Sequence, residues 1–263
     1  QCSWVHMHEK EAATEKAKDL VRMAVAKANW IEPLQPIPLN VTQKALVVGG
    51  GISGMTAALA IAEQGFPVYL VEKNDRLGGN ALNIDKTIFG HNVGPFINEL
   101  IGRVEAHPNI ELFVGSYLSQ VEGFIGNYNT TVATVKGGNG SNGNGAGTSN
   151  AGNGSNGGAE ATTTEIEHGV SILATGAVES KPEEYLYGED ERIKTLLELS
   201  KEISKPEFQV PETVVMIQCV GSREPDHPYC SRVCCAGAIK NAVRMKKQRP
   251  EAAIFVLYRD IRT

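Results

Sequence analysis

The spacing of apolar residues along the chain switches between short continuous runs and helical repeats, and this pattern predicts an α/β protein. Short apolar runs bounded by turn residues are typical of strands buried in a parallel sheet. The predicted buried strands are 45–51, 66–73, 109–116, 172–177, 213–222 and 252–260. Stretches with apolar residues on one helical face separate most of these strands. The predicted helices are 9–30, 52–65, 95–107, 191–204 and 235–248.

Residues 117–136 alternate between apolar and polar, which indicates exposed antiparallel strands, and a further hairpin strand is expected at residues 162–173. Between them, residues 137–158 consist almost entirely of Gly, Asn and Ser. Such a composition cannot bury enough apolar surface to offset the entropy that is lost on ordering. We therefore predict a flexible loop that joins two strands of a hairpin.

Proline residues mark the expected boundaries between parts of the chain. Pro33, Pro36 and Pro38 each disfavour helix at the preceding residue, which predicts a linker and a domain boundary near residue 40. Pro206 and Pro211 indicate another junction. The predicted parts are an N-terminal helix with a Pro-rich linker (1–40), a dinucleotide-binding domain (41–180) and a second β–loop–α–β unit (181–263).

Composition and charge exclude several classes of protein. The chain has 263 residues, of which 41% are hydrophobic and 21% charged, as in soluble globular proteins. A net charge of −5 gives no reason to expect a nucleic-acid partner. No apolar run reaches eighteen residues, so we expect no direct insertion into a membrane. The chain begins with Gln and stops just after an apolar run, and we expect both ends to be cut from a longer polypeptide.

A glycine-rich turn follows the first predicted strand and carries the pattern G-x-G-x-x-G at Gly49, Gly51 and Gly54. The motif alone is weak, but here a strand precedes it, a helix follows it, and Glu72 lies about twenty residues further on. In dinucleotide-binding folds, the first glycine allows the tight turn, the second lets the backbone approach a pyrophosphate, and the third lets helix and strand pack closely. Glu72 is placed to bind ribose hydroxyl groups, and an acid there argues against a 2′-phosphate.

Two more segments decide between FAD and NAD. RLGGN at residues 76–80 and ATG at 174–176 resemble the second and third FAD signatures of two-dinucleotide-binding-domain flavoproteins, the group of thioredoxin reductase. The resemblance implies a Rossmann-type FAD-binding domain plus part of a second β–α–β domain. The candidate FAD contacts are Gly49, Gly51, Ile52, Ser53, Gly54, Glu72, Lys73, Gly78, Gly79, Asn80, Val121, Thr175 and Gly176.

Cysteines form the second candidate site. Four of the five lie within seventeen positions, at Cys219, Cys230, Cys234 and Cys235, in the pattern C-x10-C-x3-C-C. Four thiolates are the ligand set of a [4Fe-4S] cluster, and they leave open a zinc site or redox-active thiols. A tight group in an odd total is a poor disulfide framework, which favours a reducing compartment and a cytoplasmic location.

The cysteine connection occupies the place where the second domain of such reductases carries its own glycine fingerprint for NAD(P)H. We infer that a cluster has replaced the nicotinamide cofactor as the electron partner of the flavin. The surrounding sequence resembles the family of the iron–sulfur flavoproteins that form the A subunits of heterodisulfide reductases. The segments that carry this resemblance are CSWVH (2–6), EAATEKAKDL (11–20), QCVGSRE (218–224), YCSRVCCAGAIKNA (229–242) and LYRDIRT (257–263).

The resemblance implies roles for individual residues. The four clustered cysteines match the ligands of a flavin-proximal cluster, and Lys240 matches a lysine close to the flavin ring. Cys2 is either a ligand of another cluster or a free thiol.

The resemblance also implies a function. Members of the family take electron pairs from a hydrogenase or dehydrogenase partner and divide them between a disulfide-reducing partner and ferredoxin. Two alternatives stay open at this point: the flavoprotein component of a quinone-interacting oxidoreductase, and a truncated scaffold without catalytic function.

Overall fold

The structure of the protein is a computed structural model that describes residues 6–34, 36, 38–135 and 161–262. The chain divides into two compact units, Gln1–Leu39 and Asn40–Thr263. Helix α1 (Lys10–Ala28) lies in the first unit, and none of its residues is buried within the chain. Within the described residues, no helix is both long enough and apolar enough to cross a membrane. The further boundary that the sequence predicts at residue 180 stays a prediction.

A four-stranded parallel sheet forms the centre of the second unit. Its order is β3-β2-β1-β7. The strands are β1 (Ala45–Val48), β2 (Val68–Val71), β3 (Ile110–Phe113) and β7 (Val170–Leu173). Helix α2 (Ile52–Ala62) and helix α3 (Val93–Ala106) connect the first three strands. The α/β fold class expected from the sequence is therefore confirmed.

Side chains alternate between the two faces of this sheet, and both faces are covered. Val47 packs with Met55 of α2 and Ile97 of α3 in the main core. Its neighbour Leu46 points to the other face and packs with Val132 and Ile166 of an antiparallel sheet. Burying one such aliphatic side chain stabilises the fold by about 1.5–3 kcal/mol. Because both faces of the sheet are buried, successive residues of its strands are apolar, which explains the continuous apolar runs of the sequence.

The antiparallel sheet has the order β4-β5-β6. Its strands are β4 (Ser116–Phe124), β5 (Asn127–Val135) and β6 (Ala161–His168). Val135 pairs with Ala161, so the segment between them connects two neighbouring strands. The glycine-rich stretch 137–158, expected to be a flexible loop, lies outside the described residues.

The remaining part is a β–α–β unit. The parallel strands β8 (Thr213–Ile217) and β9 (Ala253–Leu257) are joined by helix α5 (Cys234–Gln248), and helix α4 (Leu196–Ile203) packs against α5. Met216 and Met245 lie in its apolar core. Asn241 is completely buried and donates a hydrogen bond of 2.9 Å from its amide to the Ser200 hydroxyl. This pairing links α5 to α4.

Candidate functional site

The glycine-rich turn lies between β1 and α2 and is tightly packed on one side. Gly49 has a φ of 110°, in the left-handed region that favours glycine. A methyl group on Gly54 would overlap the carbonyl oxygen of Gly49, which explains the third glycine of the motif. Gly51 differs, because a methyl group there would meet nothing within 4 Å. The open side of the turn is therefore at Gly51, at the N-terminus of α2.

Glu72 ties the end of β2 to this turn. Its carboxylate accepts hydrogen bonds from the Gly50 amide at 2.6 Å and from the backbone and side-chain amides of Asn74 at 2.8 and 2.6 Å. The residue is only 5% exposed. A carboxylate has about four lone-pair positions, so one position is left for a further donor such as a ribose hydroxyl group.

We expect Glu72→Gln to destabilise the chain by about 1–3 kcal/mol, because the amide group leaves at least one of the three N–H donors without an acceptor, and the Gly50 amide among them is buried. Urea unfolding of the apo-chain measures this change. Glu122→Gln, on exposed β4, is the matched control and should leave the midpoint unchanged. An equal midpoint for Glu72→Gln and the parent would contradict the described role of the carboxylate.

The second and third predicted signatures lie against the same turn. The Gly78 amide donates to the carbonyl of Gly50 at 2.8 Å, and a methyl group on Gly79 would lie 3.2 Å from the Cα of Gly51. Asn80 donates from its side-chain amide to the carbonyl of Ala177 at 2.8 Å, directly after the ATG segment. The structure thus brings together three segments that are separated along the chain.

The other candidate contacts are located as follows. Ile52 and Ser53 begin α2 and are exposed, and Lys73 is exposed beside Glu72. Thr175 and Gly176 follow β7 at the same edge of the sheet as the glycine-rich turn. Val121 lies instead on β4 of the antiparallel sheet and is 53% exposed. Its contact with a cofactor stays a prediction.

All four clustered cysteines lie on or next to the connection from β8 to α5, and all are free thiols. Cys235 is buried, whereas Cys219, Cys230 and Cys234 are half-buried. The Arg232 amide donates to the sulfur of Cys230 at 3.4 Å. Among the described residues, no three His, Cys, Asp or Glu side chains converge on a common point as metal ligands do. The structure therefore places the four thiols on one connection without closing them around a centre.

The backbone of this connection is unusual. Cys219, Arg223 and Arg232 have φ values of 63°, 61° and 60°. Residues other than glycine are uncommon in this left-handed region, where each costs of order 1 kcal/mol or more. The connection therefore holds several residues in a conformation that their own preferences disfavour.

The donor set fits an iron–sulfur cluster in its chemistry, since four thiols with no disulfide partner are the ligands that such clusters use. Cys234 and Cys235 are the first residues of α5, where the partial positive charge of a helix N-terminus stabilises anionic groups. The ligand positions themselves are not assembled in this conformation, so the cluster belongs to the proposal below.

Lys240 is on α5, one to two turns after the cysteines, and is only 9% exposed. Burial, together with the positive charge of Arg244, lowers the pKa of Lys240, and Asp85 opposes part of this shift. Arg244 donates to the carboxylate of Asp85 at 2.8 Å. Lysine and arginine four residues apart on a helix share one face, which the sequence could have indicated. No pattern in the sequence indicates that Arg244 bonds to Asp85, which is 159 residues away along the chain.

Part of the chain matches a known family model. Residues 47–108, which include the glycine-rich turn and Glu72, match the family described as the NAD(P)-binding Rossmann-like domain. The crystal structure of L-proline dehydrogenase from P. horikoshii is similar to 86% of the chain, with a TM-score of 0.44 and 14% identity, over 37% of its own chain.

Two curated relatives cover almost the whole chain. One of the two iron-sulfur A subunits of the CoB--CoM heterodisulfide reductase of Methanopyrus kandleri is 33% identical over 99% of this chain and 50% of its own length. The A subunit of the H(2):CoB-CoM heterodisulfide,ferredoxin reductase of Methanothermobacter marburgensis is 35% identical over 99% of the chain and 50% of its own length. The chain thus spans about half the length of the relatives it matches. With this similarity along its whole extent, it belongs to the family of heterodisulfide reductase A subunits.

Proposed function

We propose that the chain is an FAD- and [4Fe-4S]-dependent electron-transfer part of a heterodisulfide reductase-type complex, and therefore an oxidoreductase. The observation that carries the proposal is the convergence of Gly51, Glu72, Gly79 and Asn80 around one open turn at the edge of the parallel sheet. The relatives are named reductases, and the name of one includes both heterodisulfide and ferredoxin.

The turn supplies what a dinucleotide needs. Backbone N–H groups at the start of α2 donate to the pyrophosphate, where the helix dipole also favours negative charge. Glu72 accepts a hydrogen bond from one ribose hydroxyl group through its remaining lone-pair position. FAD, when bound, supplies chemistry that handles electrons both in pairs and singly. Gly51 gives the phosphates close access to the backbone, because it presents no side chain to them.

The second cofactor is assigned to the cysteine connection. Cys219, Cys230, Cys234 and Cys235 hold the cluster in this proposal, and the N-terminus of α5 stabilises its negative charge. Lys240 lies on the same helix, and we assign it a position beside the flavin ring, where its cation favours negative charge. Its low exposure means that this charge acts in an environment that screens it less than water does.

The names of the relatives support the partners in this proposal. One relative is named for hydrogen, CoB-CoM heterodisulfide and ferredoxin together. We propose that this chain receives electron pairs from a hydrogenase or dehydrogenase partner in the cytoplasm. It then divides them between a disulfide-reducing partner and ferredoxin.

Purification without oxygen tests the cofactor assignment. We expect a flavin absorption spectrum together with about four irons and four sulfides per chain, as one [4Fe-4S] cluster requires. The extracted flavin is then identified as FAD or FMN by chromatography. Zinc in place of iron, or no flavin after reconstitution with FAD, would overturn the proposal.

A further inference from the structure

Residues 222–229, in the first part of the cysteine connection, fold back on themselves. The Glu224 amide donates to the carbonyl of His227 at 3.2 Å, and the His227 amide donates to the carbonyl of Glu224 at 3.0 Å. The Arg223 amide donates to the carbonyl of Tyr229 at 3.3 Å. This segment, which we call the 222–229 hairpin, therefore brings its own two ends together.

The base of the 222–229 hairpin is attached to two of the four cysteines. The Ser222 amide donates to the carbonyl of Cys219 at 3.2 Å. The Ser222 hydroxyl donates to the carbonyl of Tyr229, the residue before Cys230, at 2.9 Å. Cys219 and Cys230 are thus tied to one short element, and a shift of the hairpin would move one thiol relative to the other.

The hairpin has little backbone bonding of its own to fix its position. Pro225 and Pro228 lie within it and have no N–H group to donate. A two-stranded hairpin by itself is only marginally stable in water. Arg223, at its base, has a φ of 61°, and residues other than glycine keep such a conformation only where the surrounding structure holds them. The position of the hairpin therefore depends on contacts from another part of the fold.

The segment that follows β9, residues 258–262, supplies such contacts. The guanidinium group of Arg259 donates both to the carbonyl of Arg223 and to the carboxylate of Glu224. Asp260 forms an ion pair with the side chain of Arg223. Both the backbone and the side chain of the residue with the disfavoured conformation are therefore held by this segment.

We propose that Arg259 is a positioning residue, which holds the 222–229 hairpin so that Cys219 and Cys230 are presented together to the cluster. This inference rests on the proposed function, because the cluster is the one assigned there to the cysteine connection. It gives a physical role to residues 257–263, which carry part of the family resemblance but contain no candidate ligand.

Hydrogen exchange in the apo-chain tests the contact itself. We expect Arg259→Gln to speed exchange of the amides in the 222–229 hairpin by about two- to fivefold, as for loss of an exposed ion pair. Arg262→Gln is the matched control and should leave this exchange unchanged. The Arg262 side chain is 46% exposed and that of Arg259 is 47% exposed, but Arg262 donates to Asp260 on its own segment, at 2.9 Å. Both variants should keep the urea midpoint of the parent, because exposed ion pairs add little to global stability.

Iron release tests the role of the contact. The parent and the variants are purified without oxygen, and the loss of iron to a ferrous chelator is timed. We expect Arg259→Gln to lose iron about two- to fivefold faster than the parent, and Arg262→Gln to lose it at the parent rate. Arg259→Lys, which keeps a cation opposite Glu224, should fall between the parent and Arg259→Gln.

The midpoint potential of the cluster separates positioning from a simple loss of charge. Cluster potentials depend on hydrogen bonds to the sulfurs and on solvent exposure. Arg259→Gln and Arg262→Gln remove the same charge, but only Arg259→Gln frees the hairpin. We therefore expect the potential of Arg259→Gln to differ from that of Arg262→Gln, whereas a change in charge alone would shift both in the same way.

The outcomes distinguish this inference from the proposed function. If the parent holds iron and Arg259→Gln matches Arg262→Gln in iron release and potential, the positioning role is wrong and the cluster assignment stands. Unchanged hydrogen exchange in Arg259→Gln would also contradict the positioning role, because the hairpin would then not depend on Arg259. A parent chain that holds no iron would refute the cluster assignment, and this inference with it.

Discussion

Gly51→Ala is expected to fold as the parent chain does and to bind FAD at least about tenfold more weakly. A methyl group at this position meets nothing within 4 Å, and Gly51 has an ordinary extended backbone with φ −78° and ψ −176°. The fold therefore has no need of glycine here. The same methyl group would stand on the open side of the turn, where the backbone must approach a pyrophosphate closely. Quenching of FAD fluorescence on titration with the apo-chain measures the affinity.

Gly54→Ala, three residues further on, is the matched comparison and should behave in the opposite way. Its methyl group would overlap the Gly49 carbonyl oxygen, which is backbone and cannot rotate away. Overpacking of this kind costs about 1–3 kcal/mol and occasionally more. In a chain of this size that corresponds to a drop in Tm of roughly 2–12 °C. If Gly51→Ala bound FAD like the parent while remaining folded, the pyrophosphate would not lie at this turn.

The double variant Cys230→Ser/Cys234→Ser is expected to lower the iron content from about four per chain to below about one, while the flavin remains. Two thiols are too few to hold a cluster that uses four protein ligands. Both side chains are half-buried rather than part of the core, so the fold should survive, and the FAD absorption of the same sample checks this.

Cys2→Ser is the control for this experiment, because it removes a thiol that is not one of the four. It should retain the iron of the parent. Equal loss of iron from Cys2→Ser would mean that the cluster does not use the four ligands assigned here. Full iron in the double variant would exclude the cysteine connection as the cluster site.

The glycine-rich turn could be predicted from the sequence because its determinants are local. Gly49, Gly51 and Gly54 all lie within one strand–turn–helix unit, and the spacing to Glu72 follows from the length of α2 and β2. Burial on both faces of the sheet makes strands such as β1 continuously apolar, which is the pattern that predicted a parallel sheet.

The start of helix α4 could not be predicted from the periodic spacing of apolar residues alone. Helical spacing predicted a start at residue 191, whereas the helix begins at Leu196. The Thr195 hydroxyl accepts a hydrogen bond from the Glu198 amide, and the two residues form a capping box. In addition, the Glu179 carboxylate accepts a hydrogen bond of 2.9 Å from the Leu197 amide. The capping box could have been found from the T-x-x-E spacing, but the contribution of Glu179, eighteen residues earlier, could not.

The Arg244–Asp85 ion pair and the cysteine connection mark the limit of prediction from sequence. Arg244 meets Asp85 only because two distant segments fold against each other, and no spacing rule relates them. The pattern of the four cysteines indicates the chemistry of a ligand set, but it does not fix the conformation of the connection that carries them. The sequence identifies the four sulfur donors, whereas their relative positions depend on the path of the backbone between them.

The left-handed backbone conformation of Cys219 affects which residues could replace it in related sequences. At a φ of 63°, glycine or asparagine would be the easier residue, and Gly221, two positions later, has the same φ of 63°. A thiol at position 219 therefore stands against the local preference of the backbone, and in the proposed function its role as a cluster ligand opposes that preference. In a descendant that had lost the proposed cluster, nothing would oppose it. We would expect Cys219 to be among the first of the four to be lost, and glycine or asparagine to replace it.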